Sequence, residues 1–126
     1  MIVIFDENLP PKLPRILEIL EIAARHASDI VARGTPDDLL VQAVATLGGC
    51  LFSRDGQMLH NVATVAALRH HQVRLVVFDD AQLNALELAR LMMWAWPEVD
   101  RQLKAGKWQF MEITPRGHVR EKKLRR

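Results

Sequence analysis

The chain has 126 residues, 49% of them hydrophobic and 25% charged, a size that fits one domain with a sizeable core and leaves little room for a second. Its single cysteine, Cys50, excludes an intramolecular disulfide. With no cationic leader before a cleavage site and no apolar run near the roughly 18 to 20 residues of a membrane span, the expectation is a soluble, cytoplasmic protein. Net charge is +2, yet residues 115–126 hold six Arg or Lys and one Glu, leaving eleven basic against fourteen acidic residues elsewhere. This predicts an acidic domain over 1–114 with a basic tail that either meets a polyanion or is a solvated end.

In chain order, Ile2 to Phe5 is a continuous apolar run closed by Asp6, Glu7 and Asn8. Such a run suits a short strand buried on both faces of a parallel sheet. From Leu13, the positions Leu13, Ile16, Leu17, Leu20 and Ala24 recur at three and four, the stripe of an amphipathic helix whose first turn takes the prolines. Residues 28–33, "SDIVAR", are read as a second strand. "TPDDLLVQAVATLGG" is read as a helix capped by Thr35, with Pro36 first, Asp37 and Asp38 at its positive end, and Gly48 or Gly49 as its stop.

"CLFS" is a third strand, broken by "RDGQ" before a helix from about Met58 to His70. "VRLVVFDD" is a fourth strand that again ends in carboxylates. Residues 81–96 are apolar nearly all round, with Ala81, Ala85, Leu88, Met92 and Ala95 on one stripe and Leu86, Ala89, Met93 and Trp96 beside it. This predicts a largely buried helix, partly covered by a second subunit in a homodimer and ended by Pro97. A short helix to Ala105 and a last strand, "KWQFMEI", complete the chain. Strands alternating with helices imply βαβ units and a mostly parallel central sheet, an α/β fold.

Ligands of parallel sheets bind beyond the carboxyl ends of the strands, where three strands here set down Asp6 and Glu7, Asp55, and Asp79 and Asp80. Each acid alone also suits a cap or a turn. Together they pose an electrostatic problem, since two charges about 4 Å apart repel by roughly 4 kcal/mol at an effective dielectric near 20. A divalent cation relieves it, and an oxygen-only donor set suits Mg²⁺ or Mn²⁺.

"FDENLPPKL" after the first strand, "PDDLL" opening a helix and "LFSRDGQM" after the third strand resemble the PIN-like domain family, in the branch akin to VapC-type toxin ribonucleases. The likeness extends to "LKAGKWQFMEITP". It implies a three-layer α/β/α domain that hydrolyses RNA phosphodiesters at an acidic Mg²⁺ or Mn²⁺ site, with a small antitoxin protein as partner. By position it implies Asp6, Asp37 and Asp55 as catalytic acids and Asp6, Asp37, Asp38 and Asp55 as metal ligands. Gln57 stands where related sequences often carry a second Asp, so either Asp79 or Glu7 supplies a fourth carboxylate or metal is held more weakly.

Asn8 and Ser53 are expected to orient the cluster or touch phosphate, with Arg54 and Gln57 beside it. Phosphate contacts dominate nucleic-acid affinity, and Lys12, Arg15, Arg120, Lys122 and Lys123 are the cations expected to supply them to RNA. His60, His70 and His71 lack ligand spacing, and Trp94, Trp96 and Trp108 suit packing better than base stacking. Two other readings stand beside the nuclease. One is a non-catalytic PIN-like module binding RNA or protein through an incomplete metal site. The other is a receiver-like phosphoacceptor, disfavoured because strand four ends in "FDDAQ" and the lysine nearest the final strand, Lys107, precedes it.

Overall fold

The computed structural model describes residues 1–54, 56–79, 82–106 and 110–124. Six strands, β1 (Val3–Phe5), β2 (Ala24–His26), β3 (Cys50–Arg54), β4 (Leu75–Phe78), β5 (Phe110–Ile113) and β6 (Val119–Lys122), form one sheet in the order β2-β1-β3-β4-β5-β6. Every pairing is parallel except β5 with β6. Helices α1 (Pro14–Ile19) and α4 (Ala85–Ala105) cover one face, and α2 (Asp37–Thr46) and α3 (Val62–His71) the other. The expected three-layer α/β/α architecture is therefore the one observed.

Strands β1, β3 and β4 are buried along almost their whole length, as continuous apolar runs in a doubly covered sheet require. On the α1/α4 face, Phe5 and Phe78 flank Phe52 with ring centroids 5.3 and 6.2 Å away, and Trp96 closes the group at 6.4 Å. Each such side chain contributes about 1.5–3 kcal/mol on burial.

Ahead of β4, four expectations are corrected. The second strand is Ala24–His26, and residues 27–29 of "SDIVAR" and its approach form a 3-10 turn instead. α1 stops at Ile19 because Glu21 takes a left-handed conformation (φ 61°), turning the chain so that Ala24, assigned above to the helix stripe, pairs with Val3. α2 begins after Pro36 with no side-chain cap, because the Thr35 hydroxyl donates to the Ala32 carbonyl. The helix expected over 58–70 is split: Gln57–His60 is a 3-10 turn, and Asn61 caps a separate α3 by accepting from the Thr64 amide at 3.0 Å.

α4 runs straight through Pro97. The proline is exposed while Trp96, Val99 and Leu103 are buried, so packing on the sheet offsets the missing hydrogen bond. The helix is less buried than its composition predicts: Leu86, Met93 and Trp94 are 59%, 61% and 76% exposed. Trp94 lies against Gly117 in the β5–β6 turn, where a Cβ would sit 2.5 Å from the indole and φ is +84°. Of the last strand, "KWQFMEI", residues 107–109 lie outside the described set, as do Asp55, Asp80, Ala81, Arg125 and Arg126. Residues 119–122 of the basic tail form the edge strand β6. No helix among the described residues is long and apolar enough to cross a membrane.

Candidate functional site

The strand order reverses between β1 and β3, since α1 carries the chain to β2 on one side of β1 and α2 returns it to β3 on the other. A crevice opens beyond the carboxyl ends at such a point. The last residue of β1, Phe5, faces the α1/α4 core, so alternation turns Asp6 toward the α2 side. Asp6 is 3% exposed. Ser53, next to the end of β3 and equally buried, donates its hydroxyl to Asp6 Oδ2 at 2.8 Å.

Burial pushes the Asp6 carboxyl above its ordinary range, the Ser53 hydroxyl and the backbone amides of Glu7 and Asn8 oppose this, and the Glu7 charge adds to it. Asn8 thus acts on the cluster through its main chain, while its side chain is exposed. Asp37, at the start of α2, is raised by burial and then by the charges of Asp6, Glu7 and Asp38. The fold therefore brings Asp6 and Asp37 together, with Asp38 near enough to be felt.

Asp6, Glu7 and Asp37 line one small cleft with Ser28, Arg33 and Thr35, and its free volume is about 10 Å³, room for about one water-sized particle. Glu7 is held by the Gly34 amide, which donates to Oε1 at 3.1 Å. The cleft is walled by the stretch after β2, and His26 fixes that stretch. Its Nε2 donates to the Leu9 carbonyl at 2.9 Å, and its Nδ1 accepts from the Ser28 amide at 3.2 Å. His26, 4% exposed, was not singled out from the sequence, because a lone histidine in an unrecognised edge strand carries no spacing signal. Arg33 was missed for the same reason.

Oxygen donors with unbalanced negative charge suit a hard divalent cation. Even so, among the described residues no group of three or more His, Cys, Asp or Glu is placed to hold a metal. Asp55, the expected third acid, lies outside those residues.

Arg54 donates to the Leu83 carbonyl at 3.2 Å ahead of α4. Gln57 opens the 3-10 turn and is exposed. Lys12 and Arg15 are exposed around the start of α1, and Arg120, Lys122 and Lys123 lie on or just after β6. Asp79 is not among the charges that act on Asp6 or Asp37. It faces Glu112 instead, in a second and larger cleft of about 360 Å³ lined also by His60, Lys122 and Lys123.

A family model described as "PIN like domain" matches residues 1–80, which span β1 to β4. No curated protein and no solved structure matches the chain.

Proposed function

The chain belongs to the PIN-like domain family, a superfamily that includes nucleases, and from that premise we propose that it is a metal-dependent endoribonuclease. The observation that carries this reading is the convergence of Asp6 and Asp37 at the strand-order reversal, where burial raises both carboxyls, the Glu7 charge adds to each and the Asp6 charge raises Asp37 further. Buried acids that disfavour their own ionisation are costly to a fold, and at a crevice they mark a functional site.

Asp6 and Asp55 are the direct ligands of this reading, with Asp37 a ligand directly or through water, Asp38 reinforcing the field, and Mg²⁺ or Mn²⁺ the ion. When bound, the ion offers Lewis-acid stabilisation of the phosphoryl oxygens and eases deprotonation of water. The chain's own groups do the rest. Ser53 fixes the Asp6 carboxylate by its hydrogen bond, and Arg33 at the cleft attracts the phosphate that the acids would repel. Water attacks phosphorus in line, the new P–O bond forming as the bond to the leaving ribose oxygen breaks. The finer form of the reading is a VapC-type toxin acting beside a small antitoxin protein.

The test is cleavage of a mixed single-stranded RNA pool by purified protein with Mg²⁺ or Mn²⁺ and with chelator. Metal-dependent cleavage should fall at least about a hundredfold in Asp6→Asn, more than the loss typical of removing a group that only orients a ligand. Cleavage that survives chelation, or an unaffected variant, overturns the metal site. The antitoxin is tested by co-purification with the product of a neighbouring short reading frame.

A further inference from the structure

The second cleft lies on the same side of the sheet as the acids. Val77 and Phe110, on its floor, belong to the core shared with α2, the helix that Asp37 opens. It also lies at the same strand ends, since Gly56, the residue after Asp55, lines it, and Asp79 directly follows β4. At about 360 Å³ it falls within the roughly 300–1,000 Å³ of small-molecule sites. Its floor of Leu59, Val77 and Phe110 is apolar and suits the flat face of a base.

Above that floor stand groups of both charge signs. Asp79 lies near enough for its charge to act on Glu112, and Lys122 Nζ lies 3.6 Å from Glu112 Oε1. Burial, and then Asp79, raise the Glu112 carboxyl against the pull of Lys122. The cleft thus presents two carboxyl groups that accept beside an ammonium that donates. Guanine is the base whose Watson–Crick edge carries two adjacent N–H donors, N1–H and the N2 amino group, beside an acceptor, O6. Bases of a single strand are read on that edge.

We propose that this cleft is a subsite for a guanine base of the RNA strand, read by Asp79, Glu112 and Lys122, with Lys123 meeting the adjoining phosphate. The subsite rests on the nuclease reading above and gives it a substrate preference, cleavage beside guanosine.

The full chain in chelator, titrated with GMP, AMP, CMP and UMP and followed by calorimetry, tests it. GMP should bind roughly tenfold or more tighter than the other three, in line with the discrimination of a good pair of base-edge hydrogen bonds. Glu112→Gln should remove that preference without changing the circular dichroism spectrum. Lys122→Ala, at a side chain 42% exposed, should weaken it and serves if the first variant fails to fold. Equal binding of all four nucleotides means that only phosphate is being held, and overturns the guanine site. A GMP preference that survives both substitutions overturns it too. Selective GMP binding without cleavage of any RNA keeps the subsite and removes the nuclease. Cleavage without base preference and without GMP binding does the reverse.

Discussion

A carboxyl that is 3% exposed and paired only with neutral donors, as Asp6 is with Ser53 and two backbone amides, binds its proton more tightly folded than unfolded. The sign of the pH effect follows. Because Asp6 and Asp37 are both raised on folding, the folded state carries more protons than the unfolded one above about pH 4, and stability falls as pH rises through the shifted values. In metal-free buffer the melting temperature should drop over that interval, and Asp6→Asn should flatten the drop. Mg²⁺ competes with the proton for the same oxygens, so its stabilising effect should grow as pH rises. A metal-induced shift independent of pH would count against Asp6 as a ligand. Ser53→Ala should weaken metal-dependent activity by roughly 10- to 100-fold, read as a higher metal concentration for half-maximal cleavage. Of these groups, Asp6 and Asp37 were legible as acids at a strand end and a helix start. The role of His26 was not, because it is made by contact with the Leu9 carbonyl, distant in sequence.

The elements differ in how far local chemistry dictates them. α4 opens with a capping box: Asn84 accepts from the Glu87 amide at 2.9 Å and Glu87 accepts from the Asn84 amide at 3.1 Å. Asn84→Ala should cost about 1 kcal/mol in urea denaturation. The other end is tied from afar, where Arg74, just before β4, donates to the Leu103 and Gly106 carbonyls. Pro97 was read as a stop on local grounds, and tertiary packing of Trp96, Val99 and Leu103 carried the helix past it. Gly117→Ala tests the α4 contact with the β5–β6 turn. The left-handed φ and the Trp94 indole 2.5 Å from the added Cβ should together cost roughly 1–3 kcal/mol, and an exposed Trp94 should change its fluorescence as it shifts.

Over the whole molecule, the sheet sets two clefts along one edge, the acid cleft of Asp6 and Asp37 and the larger cleft of Asp79 and Glu112. The basic tail belongs to that arrangement, since β6 seals the β5 edge in register, Phe110 with Lys122 and Ile113 with Val119. Its exposed Arg120, Glu121 and Lys122 keep further strands from adding. Removing residues 115–126 should therefore lower the melting temperature and produce concentration-dependent association, measured by light scattering. A truncated chain that stays monomeric and equally stable would make the tail a mere appendage to a domain ending at 114.

What the sequence by itself determined is the layer architecture and the acids that crown it. β1, β3 and β4 are continuous apolar runs because both faces of a central parallel strand are buried, and Asp6 and Asp37 stand out where such runs and helices meet turns. Only the tertiary structure decided the edges, the partners of the acids and the second cleft. Edge strands such as β2 and β6 carry exposed charged residues, Arg25 in one and Arg120, Glu121 and Lys122 in the other, so charge interrupts their periodicity and local pattern cannot find them. Asp79 reads in the sequence as one more strand-end acid, and only the pairing of β4 with β5 sets it against Glu112 and away from Asp6. Side-chain chemistry is written residue by residue, but which carboxylates meet depends on strand order, a property of the assembled sheet.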